Sequence, residues 1–213
     1  MTHLSFWFDP ISPYAYLAFE RLPQVLEGLS YSVDYRPVLF AGLLKQHEHK
    51  GPAEIEPKRA WTYRDVAWRA HVQGTPMDLP AAHPFNPLPL LRLALACSRP
   101  GGTPNRRVVE ALFHHVWRCG QDASSPDRLA ALRQTLAPQR DPDGPEVKAE
   151  LRAAGEAAVA QGVFGVPTVV LDGRAFWGDD ALPMLRAALM GDPWFDGPAW
   201  AQAGQPHPGV KRN

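Results

Sequence analysis

The chain has 213 residues but only two cysteines, Cys97 and Cys119, and they form no CxxC pair. A disulfide framework or a thiolate metal site needs more sulfurs or a closer set, so both are excluded. Two unpaired thiols in or near helices are what remains. No sign of charge is in excess, since 22 Lys and Arg balance 22 Asp and Glu. With no Lys/Arg-rich run either, a nucleic-acid partner is not expected. No apolar run reaches the roughly 20 residues that cross a bilayer. The start, MTHLSFWFDP, lacks the basic and apolar regions of a secretory signal. A cytoplasmic protein with no membrane partner is expected. The eight histidines are scattered. Adjacent His114 and His115 point about 100° apart on a helix, so no metal is expected.

What is present suits one large domain, or a domain carrying an insertion, because 45% of the residues are hydrophobic. HLSFWFD reads as a strand covered on both faces. Ser12 can cap the helix that follows, and Pro13 suits its first position. The helix is expected over Tyr14 to Glu27, with Leu17, Leu22, Val25 and Leu26 packing, Pro23 kinking or dividing it, and Gly28 ending it. YSVDYRPVLF alternates as a strand with one buried face, completing a β-α-β unit with parallel strands.

From about Ala41 to Gly162 the pattern is helical. Trp61, Val66 (or Asp65) and Trp68 fall near helical spacing, as do Val108, Leu112 and Val116. Strands return with PTVVLD and RAFW, joined by a hairpin turn at Asp172-Gly173. Asp179 and Asp180 then open the last helix, where its dipole favours acids. The tail from Asp192 is rich in Pro, Gly and Trp and is expected to wrap the surface.

The order β-α-β, helical block, β-β-α is thioredoxin-like with an insertion. Five stretches in this order, FDPISPYAYLA, PKRAW, HPFNPLPLLRLALA, FGVPTVVLDG and FWGDDAL, resemble the 2-hydroxychromene-2-carboxylate isomerase family over roughly residues 4 to 190. That family is a branch of the disulfide-oxidoreductase-like proteins close to kappa-class glutathione transferases. The fold class implied is α/β, a thioredoxin-like domain with a large all-helical insertion. Its glutathione-binding part is expected at residues 1–40 plus 163–213, and the insertion at 41–162.

The thiol oxidoreductases of this superfamily start the first helix with CxxC; here that stretch is Ser12-Pro13-Tyr14-Ala15. The resemblance implies that Ser12 hydrogen-bonds the thiolate of glutathione, where a plain reading is an N-cap. It implies a cis Val166–Pro167 bond, with Val166 pairing with the peptide backbone of glutathione. Asp180 matches the carboxylate that takes the γ-glutamyl amine. Asp179 stands where kappa enzymes have serine, and dipole stabilisation is the plain reading of both acids. Lys58, or Arg59 beside it, matches the cation for the glycyl carboxylate. Tyr14, Trp61, Tyr63, Arg64 and Asn86 are candidates for an aromatic, anionic substrate. Trp61 can equally be core, Tyr14 can simply pack, and Asn86 can cap the next helix. His83 and Phe85 share the proline-bracketed loop of Asn86, and Arg92 is a further carboxylate candidate.

The activity implied is glutathione-dependent interconversion of 2-hydroxychromene-2-carboxylate and trans-o-hydroxybenzylidenepyruvate, a step in aromatic hydrocarbon breakdown. A small aromatic carboxylate substrate and a homodimer come with it. The alternatives are a kappa-like transferase that consumes glutathione and a non-catalytic thiol-binding module.

Overall fold

Leu4, Phe6, Trp7 and Phe8 of β1 (Thr2–Phe8) are all fully buried, which a strand achieves only with both faces covered. The computed structural model, which describes residues 1–205 and Gly209, shows why. β1 lies inside a four-stranded sheet of order β2-β1-β3-β4, with β2 (Tyr31–Pro37), β3 (Thr168–Leu171) and β4 (Arg174–Trp177). β1 and β2 are parallel, as a β-α-β unit requires. β3 runs antiparallel to both β1 and β4. Asp172 and Gly173 turn between β3 and β4 with φ of 48° and 76°, the two positive values that a tight two-residue hairpin needs.

The helices in chain order are α1 (Pro13–Val25), α2 (Phe40–Gln46), α3 (Glu56–Gln73), α4 (Leu88–Ala96), α5 (Arg106–Trp117), α6 (Pro126–Leu136), α7 (Pro145–Ala160), α8 (Leu182–Leu189) and α9 (Pro198–Ala203). No strand interrupts the described chain between β2 and β3. The expected surface tail is described only as far as residue 205, with Gly209; the rest lies outside the described residues.

Ser12 caps α1, with its hydroxyl oxygen accepting from Ala15 N at 3.2 Å and Pro13 at the first position. Pro23 does not divide α1, which runs on to Val25. Proline removes the donor that would meet the Phe19 carbonyl. Arg106 of α5 stands in, with Nη2 3.5 Å from Phe19 O, Nη1 3.2 Å from Tyr35 Oη, and its guanidinium 4.2 Å above the Phe19 ring.

The two tryptophans at near-helical spacing in α3 do not pack into the core. Trp61 is 65% and Trp68 62% exposed. The residues α3 buries are Val66 and Ala70, and five residues of helix set Val66 about 140° round from Trp61.

Sheet and helices share one apolar core. The Phe113 ring of α5 lies 5.2 Å from Phe19, 5.5 Å from Phe8 and 6.0 Å from Tyr16. Trp117 is also fully buried, and its indole N–H donates to Pro10 O at 2.9 Å. Replacing Phe113 by Ala removes the ring that joins α5 to both α1 and β1. A loss of about 3–5 kcal/mol is expected in denaturant unfolding; a loss under about 1 kcal/mol would reject Phe113 as the junction.

Candidate active site

The antiparallel register of β1 with β3, Trp7 opposite Thr168, brings the end of β1 to the start of β3. The α1 N-terminus follows the first, and the Val166–Pro167 peptide, which is cis, precedes the second. There the Ser12 hydroxyl donates to Val166 O at 3.2 Å while accepting from Ala15 N. Ser12 is 7% exposed and lines a cavity of about 1300 Å³. Two backbone donors at this corner, Tyr14 N–H and Val166 N–H, meet no partner among the described residues. Neither cysteine lines the cavity.

The β4–α8 turn closes the same corner. Gly178 N donates to Pro167 O at 2.9 Å, and Gly178 has φ 98°, which favours glycine. A side chain at Gly165 would lie 2.7 Å from the Trp177 indole nitrogen, so glycine is needed there too. Asp179 and Asp180 sit in a short 3-10 turn, Asp179–Ala181, ahead of α8 rather than in it.

The two acids diverge. Asp180 is exposed on the cavity and forms no ion pair among the described residues. Asp179 is 1% exposed, and its Oδ2 lies 3.3 Å from Arg69 Nη1 and 3.4 Å from Gln73 Nε2. Its Oδ1 is buried without a hydrogen-bond partner, with Arg21 Nη1 at 3.8 Å. Arg69 also donates to Asp65 at 2.8 Å, and Asp65 takes the Tyr14 hydroxyl at 2.9 Å. Burial, then the bond to Asp65, pushes the Tyr14 phenol up to about 12. Tyr14 thus lines the cavity as a neutral ring whose proton is already committed.

Of the residues expected from sequence, Ser12, Tyr14, Lys58, Trp61, Val166, Pro167, Asp179 and Asp180 all line this one cavity. So do Arg59, Tyr63, His83 and Phe85. Trp61, left open between core and pocket, belongs to the pocket wall. Three candidates are not brought in. Arg64 is exposed and does not line the cavity. Asn86 also lies outside, where its Oδ1 accepts from Leu88 N at 3.1 Å and caps the start of α4. Arg92 faces Asp143 at 3.7 Å on another surface. Asp9, Asp65 and Arg69 were missed. Arg69 had a signal, since eleven residues of α3 return it to the face of Lys58.

A family model described as a DsbA-like thioredoxin domain matches residues 3–190. The chain belongs to that family. Among curated relatives of this DsbA-like chain is 2-hydroxychromene-2-carboxylate isomerase of Sphingobium xenophagum, 27% identical over 88% of this chain and 97% of that one. Human glutathione S-transferase kappa 1 is 26% identical over 89% of this chain and 91% of its own. A solved 2-hydroxychromene-2-carboxylate isomerase superposes with a TM-score of 0.76 at 22% identity, covering 95% of this chain and all of that one. That last likeness speaks to the fold.

Asp9 gives the DsbA-like corner an unusual group. It is fully buried, and its carboxylate takes Ile11 N at 3.0 Å and Phe40 N at 2.9 Å. Burial outweighs those two bonds and raises its pKa from 3.8 to about 7. An acid whose folded pKa lies above its unfolded one stays protonated in the fold while the unfolded chain ionises. Stability is therefore lost as pH rises from about 4 to about 7, then levels. Thermal melts of wild type and Asp9→Asn across that range should diverge, with the wild type losing more. Parallel pH profiles would remove Asp9 from the account.

Proposed function

We propose that the protein is a glutathione-dependent isomerase acting on 2-hydroxychromene-2-carboxylate or a close analogue. The single observation that carries this reading is Ser12: a buried serine at a helix N-terminus, bonded to Val166 O beside a cis-proline, on a large cavity with no protein sulfur. Thiol chemistry at such a corner needs the sulfur to come from a ligand.

Glutathione supplies it. Its thiolate competes for the Ser12 proton, and an anionic acceptor wins over the neutral Val166 carbonyl because charge-assisted hydrogen bonds are roughly twice as strong. Turning the hydroxyl suffices. Tyr14 N–H and the α1 dipole add to the same charge. Val166 N–H pairs with the cysteinyl backbone, and Pro167 shapes the approach. Asp180, with the buried Asp179 behind it, takes the γ-glutamyl end, while Lys58 takes the glycyl carboxylate. Tyr14 and Trp61 face the aromatic substrate.

The thiolate adds to the enone carbon, and the C=C pair moves to the carbonyl oxygen as an enolate. The resulting single bond rotates. Elimination re-forms the double bond and returns the thiolate, so glutathione is neither oxidised nor consumed. The protein's part is to hold the nucleophile at attack distance and stabilise the charge.

The test is a spectrophotometric isomerisation assay with and without glutathione. Turnover that depends on glutathione without depleting it is expected. Stoichiometric depletion would instead assign a kappa-like transferase, and binding without turnover a thiol-binding module. Ser12→Ala should raise the pKa of the bound thiol and slow turnover at neutral pH roughly 10- to 100-fold, the worth of one hydrogen bond to a charged group. An unchanged thiol titration and unchanged rate would reject the role of Ser12.

A further inference from the structure

The cavity wall also carries a hydrogen-bonded chain that thiolate addition leaves unused. His83 Nε2 lies 2.8 Å from Ile11 O, and His83 Nδ1 lies 2.8 Å from Tyr63 Oη. A carbonyl only accepts, so Nε2 must carry the ring proton. Nδ1 is then a lone pair, and the Tyr63 hydroxyl donates to it at 2.8 Å, closer than the His83 carbonyl at 3.2 Å. The Tyr63 oxygen keeps its own lone pairs for a donor inside the cavity, which both side chains line. Hydroxyl, imidazole and a fixed orienting acceptor stand in the sequence that proton transfer uses.

The surroundings keep the imidazole neutral and in position. Phe85 at 6.1 Å and Trp117 at 5.6 Å flank the His83 ring, and neither titrates. Burial lowers the His83 pKa below its ordinary 6.5. From α3, Tyr63 itself is in contact and Arg59 is the charge that bears on Tyr63. The β1–α1 loop contributes the Ile11 carbonyl, with the buried acid Asp9 bonded to Ile11 N beside it.

We propose that Tyr63 and His83 carry the proton when the cyclic form of the substrate opens and closes. This rests on the isomerase reading above. A 2-hydroxychromene-2-carboxylate is a cyclic hemiketal, so opening must remove the proton of its hydroxyl and supply one to the ring oxygen. The hydroxyl proton passes to Tyr63 Oη as the Tyr63 proton passes to His83 Nδ1. The freed O–H pair becomes the second bond of the new carbonyl. The bond from that carbon to the ring oxygen breaks, and its pair leaves on the phenolate. His83 then returns its proton through Tyr63 to the phenolate oxygen. Nothing is oxidised and no co-reactant enters. Between the two transfers, the Ile11 carbonyl stabilises the imidazolium. Tyr63 is the catalytic residue, and His83 is the positioning residue that holds the proton behind it.

The experiment compares two substrates in the presence of glutathione, with Tyr63→Phe and His83→Gln as variants. One substrate is the cyclic hydroxychromene carboxylate. The other is cis-benzylidenepyruvate without the ring hydroxyl, which can add a thiolate and rotate but cannot cyclise. Glutamine keeps hydrogen-bonding capacity but cannot take a proton. Both variants should lose more on the cyclic substrate than on the other, by a ratio on the order of 10²-fold. Wild type should show an acid limb below pH 6.5 on the cyclic substrate alone, absent in His83→Gln. The thiol's own titration appears with both substrates. A loss ratio near one, or an acid limb confined to the cyclic substrate that survives in His83→Gln, overturns the proposal. A wild type inert on both substrates brings down the isomerase reading and this proposal with it, a different result from a ratio near one.

Discussion

The contact between the Ser12 hydroxyl and the Val166 carbonyl joins positions 154 residues apart, and the site is organised around it. It exists because β1 and β3 are antiparallel neighbours, so the exit of one strand meets the entrance of the other. From there the connections spread without a gap. Ser12 N is tied to Asp9 O, Asp9 reaches Phe40 N at the start of α2, and Pro167 O takes Gly178 N from the β4–α8 turn. Three loops from distant parts of the chain are thereby fixed to one helix N-terminus. The same hydroxyl is fully satisfied in the free protein, giving one bond and taking one. A buried hydroxyl left unpaired would cost stability; one bonded to a neutral carbonyl waits in position and can be redirected by a stronger acceptor.

Elements governed by local chemistry were legible in the sequence. The apolar run of β1, the Ser12-Pro13 start of α1, the Asp172-Gly173 hairpin and the helical stretch between β2 and β3 all follow from neighbouring residues. What failed depended on partners elsewhere. Pro23 is tolerated in α1 because Arg106, 83 positions later, offers a donor to Phe19 O. Helical spacing puts Trp61 and Trp68 on one stripe and Val66 well round from it, but does not say which stripe faces the core. Among the candidates, those next to backbone landmarks, Ser12, Val166 and the acids after Gly178, line the cavity. Arg64 and Asn86 were misplaced because proximity in sequence does not fix the side of a helix or the partner of an amide. Asp9 went unseen because its role is to satisfy two N–H groups from different loops, which no local pattern records.

The charges around the cavity are sorted rather than merely balanced. Acids cluster at the Ser12 corner as Asp9, Asp179 and Asp180, while Lys58 and Arg59 at the start of α3, with Glu54 near them, form no ion pair among the described residues. An acid cluster beside a developing thiolate would oppose it, yet two of the three are muted. Burial keeps Asp9 largely protonated up to about pH 7, and Arg69 with Arg21 sets positive charge against Asp179. Of the three, only Asp180 presents an open carboxylate; Glu54, exposed on the same cavity near Lys58, accepts from Gly51 N at 2.6 Å. Under the isomerase reading, a tripeptide with an ammonium-bearing end and a plain carboxylate end can then lie in one direction only. Its ammonium goes to Asp180 and its far carboxylate to Lys58, and its sulfur falls between them. Under that reading the orientation of the nucleophile would follow from which acids the protein has neutralised, a selection made by α3 through Arg69 and by the depth at which β1 ends.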